Sequence, residues 1–194
     1  MVHILYLMQK LKIKNNMERQ KDLIEMSPKD DQLNLLYKNL KYNKLITFFG
    51  NVESKVMIIG LAPVQSHIDS DSKSCFKFDI DLNQDNKSGG VLIKIFKEFN
   101  LKITDFFWNN VYKIPIESIT EYTEYTIFHE ILEKEIRLIN PTKIICLGSD
   151  SFKVVKNLNI GVNINIIKVF HPAYLLRNAI TFDEMLINYK FALL

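Results

Sequence analysis

The sequence predicts an α/β protein: a three-layer α/β/α arrangement with a central, mostly parallel four-stranded sheet. Two patterns carry this expectation. Short apolar runs alternate along the chain with longer segments of helical periodicity, and strands alternating with helices imply a parallel sheet covered on both faces. Runs such as Val56-Met57-Ile58-Ile59 and Ile144-Ile145-Cys146-Leu147 are nearly unbroken in apolar residues, as buried strands are. A chain of 194 residues is most simply one domain with a full core.

The elements follow in order. Residues 17–45 mix charges with apolar residues at helical spacing, namely Leu23, Ile24, Leu33, Leu35, Leu36 and Leu40. Ser27-Pro28 divides this stretch, because the residue before a proline disfavours helix. Two amphipathic helices packed on the sheet are expected there. Lys55 to Ile59 is the first strand. Ala62 to Lys87 is a long polar loop with no period, and such loops in compact domains are usually functional or mobile. Ser88 is placed to cap a helix from Gly89 to Phe99, with Val91, Leu92, Ile95, Phe96 and Phe99 inward. Asp105 to Val111 is the second strand, and Tyr112 to Tyr122 a loop. Tyr125 to Ile139 is a helix, with Glu130 and Lys134 one turn apart, and Asn140-Pro141 ends it. Lys143 to Leu147 is the third strand, and Gly148 turns into a helix from Ser149 to Leu158. Ile164 to Phe170 is the fourth strand, and Thr181 to Leu193 a closing helix. Met17 is an alternative start. The expected organisation is therefore a peripheral segment, residues 1–16, and a single domain over residues 17–194.

Composition bounds the function. The hydrophobic fraction of 47% and charged fraction of 24% are those of a globular protein that folds in water. A net charge of +3 permits nucleic-acid binding without arguing for it. Two cysteines without a pairing pattern point to a reducing compartment, so an intracellular location is expected, cytoplasmic or, in a eukaryote, nuclear. No apolar run approaches the roughly 20 residues of a membrane span. The apolar start, Met1 to Met8, is followed rather than preceded by basic residues and lacks the order of a signal peptide. His67, His129 and Cys75 show no metal-ligand spacing, so no metal and no cofactor is expected.

Two segments carry chemistry. In Phe170-His171-Pro172-Ala173-Tyr174-Leu175-Leu176-Arg177-Asn178 a histidine is held at a strand exit by the proline after it. Two leucines and an arginine follow, with nothing obvious to pack against. A fixed imidazole beside an apolar, basic wedge suits an enzyme that draws a base out of nucleic acid. The plainer alternative is a strand-to-helix turn whose leucines fold back into the core. In Lys55-Val56-Met57-Ile58-Ile59-Gly60-Leu61-Ala62-Pro63 a strand runs into a Gly-x-Ala-Pro turn. Gly60 lets another group approach the backbone, and Pro63 stiffens the turn. Both segments fall at carboxyl ends of strands, where ligands bind in open α/β sheets.

With these residues in view, the chain resembles the uracil-DNA glycosylase superfamily. Gly60 to Pro63 and His171 to Asn178 look like its two active-site motifs, nearest to the bacterial and archaeal branches called families 4 and 5. Three weaker matches lie between, in the family's order: Ser88-Gly89-Gly90-Val91-Leu92, Trp108-Asn109-Asn110-Val111-Tyr112-Lys113, and Asn140-Pro141 through Cys146-Leu147-Gly148. The resemblance spans about residues 50 to 180 and implies the α/β/α fold. The departures are specific. Those branches usually hold an iron–sulfur cluster on four cysteines, and this chain has Cys75 and Cys146 alone, so a four-thiolate cluster is excluded. In one branch an acidic residue follows the first-motif glycine; here it is Leu61. The aromatic that stacks on the flipped base is not at its usual spacing, and Phe76 or Phe78 would serve.

The resemblance assigns roles. His171 would donate a hydrogen bond to the departing base, as preorganised donors do; alternatively it merely caps the strand. Asn110 would read the base edge, since an amide offers a donor beside an acceptor to the O4 and N3–H of uracil. Asn109 competes with it, because successive strand residues point to opposite faces. Gly60, Leu61, Ala62 and Phe78 complete the base-binding set. Leu61 cannot activate water. The loop offers Gln65, Asp69, Asp71, Asp79, Asp81, Asp85 and Asn86, of which Asp85 and Asn86 lie nearest the place of an aspartate in the second branch. Ser88, Lys113, Pro172, Tyr174, Leu175, Leu176 and Arg177 form the expected DNA contacts, the leucines and Arg177 as the wedge that fills the gap of a flipped nucleotide.

The expected activity is that of a monofunctional glycosylase that excises uracil or other deaminated bases. It would act as a monomer on uracil-containing DNA, away from membranes, with no lyase step. Leu61 and the irregular loop motivate a second reading, a silent member that binds nucleic acid or protein. A general nucleotide-binding domain is a third, opposed by the lack of a Gly-rich phosphate loop.

Overall fold

A computed structural model of the chain describes residues 28–38, 40–78, 87–161 and 163–194. Within them, α1 (Pro28–Tyr37) is followed by β1 (Phe49–Gly50), β2 (Val56–Gly60) and the short α2 (Gln65–Ile68). Next come α3 (Ser88–Glu98), β3 (Phe107–Asn110), α4 (Tyr122–Ile139), β4 (Lys143–Leu147) and α5 (Ser149–Asn157). The chain closes with β5 (Asn165–Val169), α6 (Ala173–Leu176) and α7 (Phe182–Leu193). The expected peripheral segment, residues 1–16, and the first of the two expected amphipathic helices lie outside the described residues. The second is α1, which starts at Pro28 and buries Leu33 and Tyr37.

Among the described residues the sheet has five strands rather than four, in the order β1-β3-β2-β4-β5. Strands β2 to β5 are mutually parallel, and β1 runs antiparallel along the outer edge of β3. The extra strand is two residues long, Phe49 opposite Trp108 and Gly50 opposite Phe107. It is too short to show a period in sequence. The pleat sorts the apolar strand residues onto two faces. Ile58, Trp108, Ile145 and Leu147 face one core with Leu92 and Phe96 of α3 and Met185 and Tyr189 of α7. Met57, Ile59, Phe107, Ile144 and Cys146 face the other, with Leu33 of α1, Phe128, Leu132 and Ile136 of α4 and Val155 of α5. This is the three-layer architecture that the alternating elements imply.

Helix ends explain the remaining differences. The Glu124 carboxylate accepts from the backbone N–H of Thr120 (2.8 Å) and Glu121 (3.1 Å), so α4 begins at Tyr122, three residues before the expected start. It ends at Asn140, left-handed at φ 53°, as Asn-Pro suggests. Thr181 caps α7 rather than belonging to it: its Oγ1 accepts from Glu184 N–H at 3.3 Å, and the Glu184 carboxylate accepts from Thr181 N–H at 2.7 Å. Ser88 is the first residue of α3 and makes no side-chain cap; Lys87 holds the capping position.

The described part of the loop after β2, residues 61–78, holds more structure than its composition suggests. It holds α2 and a 3-10 turn, Cys75–Lys77. Thr47 donates to Lys73 O (2.7 Å) and accepts from Cys75 N–H (2.9 Å). The His67 ring lies 2.8 Å from Ser74 O. These bonds pin the loop against the sheet end.

Candidate active site

The carboxyl ends of β2 and β3 are locked in register beyond the strands. Gly60 O accepts from Val111 N–H and Leu61 O from Tyr112 N–H, each at 2.9 Å. The Gly60–Pro63 turn is therefore fixed, with Pro63 buried. A cavity of about 320 Å³ opens above it, lined by Ala62, Pro63, Val64, Ser66, His67, Phe76, Lys77, Lys87, Ser88, Gly89, Asn110, His171 and Leu176. This volume lies at the small end of ligand sites. The two motifs, far apart in sequence, meet here.

His171 is held in one protonation form. Its Nδ1 accepts a hydrogen bond from Ala173 N–H at 3.1 Å, so the proton of the neutral ring sits on Nε2. Burial, reinforced by the positive charge of Arg177, lowers its pKa below the usual 6.5. The group presented at neutral pH is thus an uncharged imidazole whose Nε2–H is left to donate. The peptide before it is clamped by α7: Phe170 N–H donates to Asn188 Oδ1 at 2.7 Å, and Tyr189 Oη donates to Phe170 O at 2.9 Å. Gly148, at φ +93°, backs the ring; a Cβ there would stand 3.2 Å from the Cβ of His171.

Asn110 faces this cavity, whereas Asn109 turns to the opposite side of the sheet, where its Oδ1 accepts from Lys113 Nζ at 2.6 Å. Alternation along the strand decides between them. The absence of a side chain at Gly60 makes room for the site. A Cβ there would lie 2.5 Å from Asn110 Oδ1 and 2.8 Å from Phe76 Cζ, closer than packing allows. Gly89 serves the same end from α3, since a Cβ would stand 2.7 Å from Phe76 O. Phe76 adopts a left-handed backbone, φ 59°, as does Lys77, and this turns its ring over Gly60. Bulky residues in that region are strained, and such strain gathers at functional sites.

Several expected contacts are corrected. Phe78 does not reach the cavity: it is 2% exposed and lies edge-on to Trp108 within the core, while Phe76 lines the site. Lys113 is fully buried in an ion pair with Glu135 at 2.9 Å, so it is no phosphate contact. Leu175 packs against the core beside α3 and does not project as a wedge. Pro172 is buried at the start of α6, so its part is to set the turn. Tyr174, Leu176 and Arg177 remain exposed. Ser88 lies on the cavity rim. Leu61 lines a neighbouring cavity and packs on the core beneath, and Ala62 borders both cavities. Asp79, Asp81, Asp85 and Asn86 lie outside the described residues.

That neighbouring cavity, about 460 Å³, shares Ala62, Pro63, Val64 and His171 with the first. Gly148, Ser149, Tyr174 and Arg177 line it as well. His171 stands as the partition between them. The mouth of the first cavity carries Lys77 and Lys87, whereas the second is lined by Glu117 and Asp150 as well as Arg177, so the basic character lies on the side of the first. Among the described residues, no group of three His, Cys, Asp or Glu side chains is placed to hold a metal ion. None of their helices is long and apolar enough to cross a membrane.

Sequence reasoning missed the residues that act on the site indirectly. Gly148 read as a turn, without sign of the imidazole behind it. Asn188 and Tyr189 read as ordinary helix positions. Glu135 sat on the inward face of a helix, where a carboxylate among apolar neighbours was the available signal of a buried partner.

No curated protein matches the chain. The family model of the uracil DNA glycosylase superfamily matches residues 47–190, a span that holds all five strands and both halves of the cavity. The chain therefore belongs to the uracil DNA glycosylase superfamily, whose members act on DNA and usually hydrolyse N-glycosidic bonds.

Proposed function

We propose that this chain is a monofunctional DNA glycosylase that excises uracil in base-excision repair. One observation carries the reading: a neutral imidazole with a free Nε2–H and a carboxamide line one cavity, beneath an aromatic ring. A nucleotide extruded from the stack would place its base against Phe76 and its Watson–Crick edge toward Asn110. The amide supplies an acceptor to N3–H and a donor to O4, and cytosine presents the reverse pattern there. Hypoxanthine and xanthine are the further deaminated bases to test.

The glycosidic bond between the base nitrogen and C1′ breaks with its electron pair leaving on the base. His171 Nε2–H donates to the base oxygen on which that charge gathers, an electrostatic role that needs no proton transfer. Water adds to C1′ and gives up a proton to solvent, while the base departs as its anion and takes up a proton from solvent once released, leaving free base and an abasic sugar. Asp85 and Asn86 are the proposed residues that orient the water. Within the sequence motifs no lysine occupies a position suited to a Schiff base with the sugar, so no strand cleavage is proposed; Lys77 and Lys87 line the cavity but belong to neither active-site motif.

A second reading has its own observation. None of the described residues lining the cavity is an aspartate or glutamate, although Glu117 and Asp150 line the adjoining one that shares His171; the first fact favours a silent member that binds DNA without cleaving it. Release of base from oligonucleotides carrying one uracil separates the two. Alkali-labile breaks made by wild type, and reduced about 10²–10³-fold in His171→Ala, support the glycosylase. Well-folded protein that releases neither uracil, hypoxanthine nor xanthine would leave the silent reading.

A further inference from the structure

The residue given the task of reading the base is gripped from behind by a buried charged network. Lys113 Nζ donates three hydrogen bonds: to Asn110 O at 2.7 Å, to Asn109 Oδ1 at 2.6 Å and to Glu135 Oε2 at 2.9 Å. Asn109 Oδ1 also accepts from Asn110 N–H at 2.8 Å. Both polar groups of the Asn110 backbone are thus held by this cluster. Glu135 accepts in addition from the hydroxyl of Tyr37, which ties in α1. Lys113, Glu135 and Asn109 are each fully buried, and the cluster lies across the sheet from the cavity.

Its placement has no simple account in stability. Burying an ion pair costs desolvation that its attraction barely offsets, and apolar residues of similar volume often do as well or better. Burial lowers the pKa of Lys113, and the Glu135 carboxylate beside it opposes that shift. What the cluster supplies is geometry. The sheet ladder runs out at Asn110, and a strand-end residue would otherwise be held on one edge by Gly60 and Val111 alone. An amide discriminates uracil from cytosine only if its oxygen and nitrogen keep their places to a few tenths of an ångström.

We propose that Lys113 and Glu135 are positioning residues that fix the Asn110 carboxamide for base reading, with no contact of their own to DNA. The inference rests on the glycosylase reading for its catalytic consequence, but its geometric content is independent of it. It replaces the phosphate contact expected of Lys113 from sequence.

The test is a double-mutant cycle. Lys113→Met with Glu135→Leu removes both charges and leaves neither charge orphaned, although Asn110 O, Asn109 Oδ1 and Tyr37 Oη each lose a partner, so its melting temperature should fall without loss of the fold; Glu135→Gln serves as the milder variant. Release of uracil by the paired variant should fall about tenfold in kcat/KM, and by less than twofold when Asn110→Ala is already present. An effect transmitted through Asn110 vanishes with it. Equal losses in both backgrounds, or none in either, would overturn the proposal. If wild type releases no base, the glycosylase reading fails by itself. The side-chain NH2 signals of Asn110 in 15N-labelled protein, identified by their loss in Asn110→Ala, then decide the inference. Signals shifted or broadened in the paired variant uphold it, and unchanged signals refute it.

Discussion

His171 shows how a single side chain is given a role by its surroundings. The Ala173 N–H fixes the tautomer, and burial with Arg177 keeps the ring uncharged. The sign of a pH effect follows. The donor is the neutral form, present above the folded pKa, and that pKa is lowered. The acid limb of kcat should therefore fall below the ordinary histidine value near 6.5. Removing the Arg177 charge takes away one of the causes of lowering, so Arg177→Gln should move the limb toward higher pH. A limb that stays put in Arg177→Gln would show that burial alone sets it. The histidine itself was legible in sequence, since proline after a strand end is a strong local constraint. The choice of Asn110 over Asn109 needed the pleat's phase. The choice of Phe76 over Phe78 was not legible, because it depends on two successive left-handed residues that no propensity favours.

The turn between β4 and α5 is an element whose importance the sequence hid. Gly148 meets two demands at once, a backbone at φ +93° and contact with His171. Gly148→Ala forces an alanine into a backbone region, φ +93° and ψ 173°, that is essentially reserved for glycine, at a cost of about 1–3 kcal/mol, and presses a methyl against the Cβ of His171. Denaturant unfolding should report the strain as a lower midpoint with unchanged slope. Base release should fall by more than that loss of folded protein explains, because the ring is displaced. Activity lost only in proportion to unfolding would mean the turn does not position His171. Strands β2 and β4 were legible because apolar runs buried on both faces leave a plain record. The two-residue β1 left none. The start of α4 was obscured because its cap is a glutamate reaching back, not the serine or threonine that usually signals one. Phe78 and Leu175 were misassigned for a common reason: apolar residues in a loop read as exposed until the core that receives them is known.

At the scale of the whole molecule, charge decides how DNA is met. The net charge is only +3, so attraction must come from local clustering rather than from a general field. Lys77, Lys87 and Arg177 border the two joined cavities, with Glu117 and Asp150 on the side of Arg177, while Lys113 is sealed in the interior. Counterion release makes the logarithm of affinity fall linearly with the logarithm of salt, with a slope of about −0.9 per phosphate neutralised on duplex DNA. Arg177→Gln and Lys87→Gln should each weaken binding to uracil-free DNA at low salt and reduce that slope by about one. Lys113→Met with Glu135→Leu should leave the slope unchanged, because a lysine without solvent access displaces no counterion. Fluorescence anisotropy of a labelled duplex between low and moderate salt measures all three. A slope reduced by the buried pair and not by Arg177 or Lys87 would place the DNA on another face and remove the support that surface charge lends to this site. A slope reduced as stated would separate the residues that hold DNA from those that shape the reader, a division the linear sequence blurs because Asn110 and Lys113 stand three residues apart.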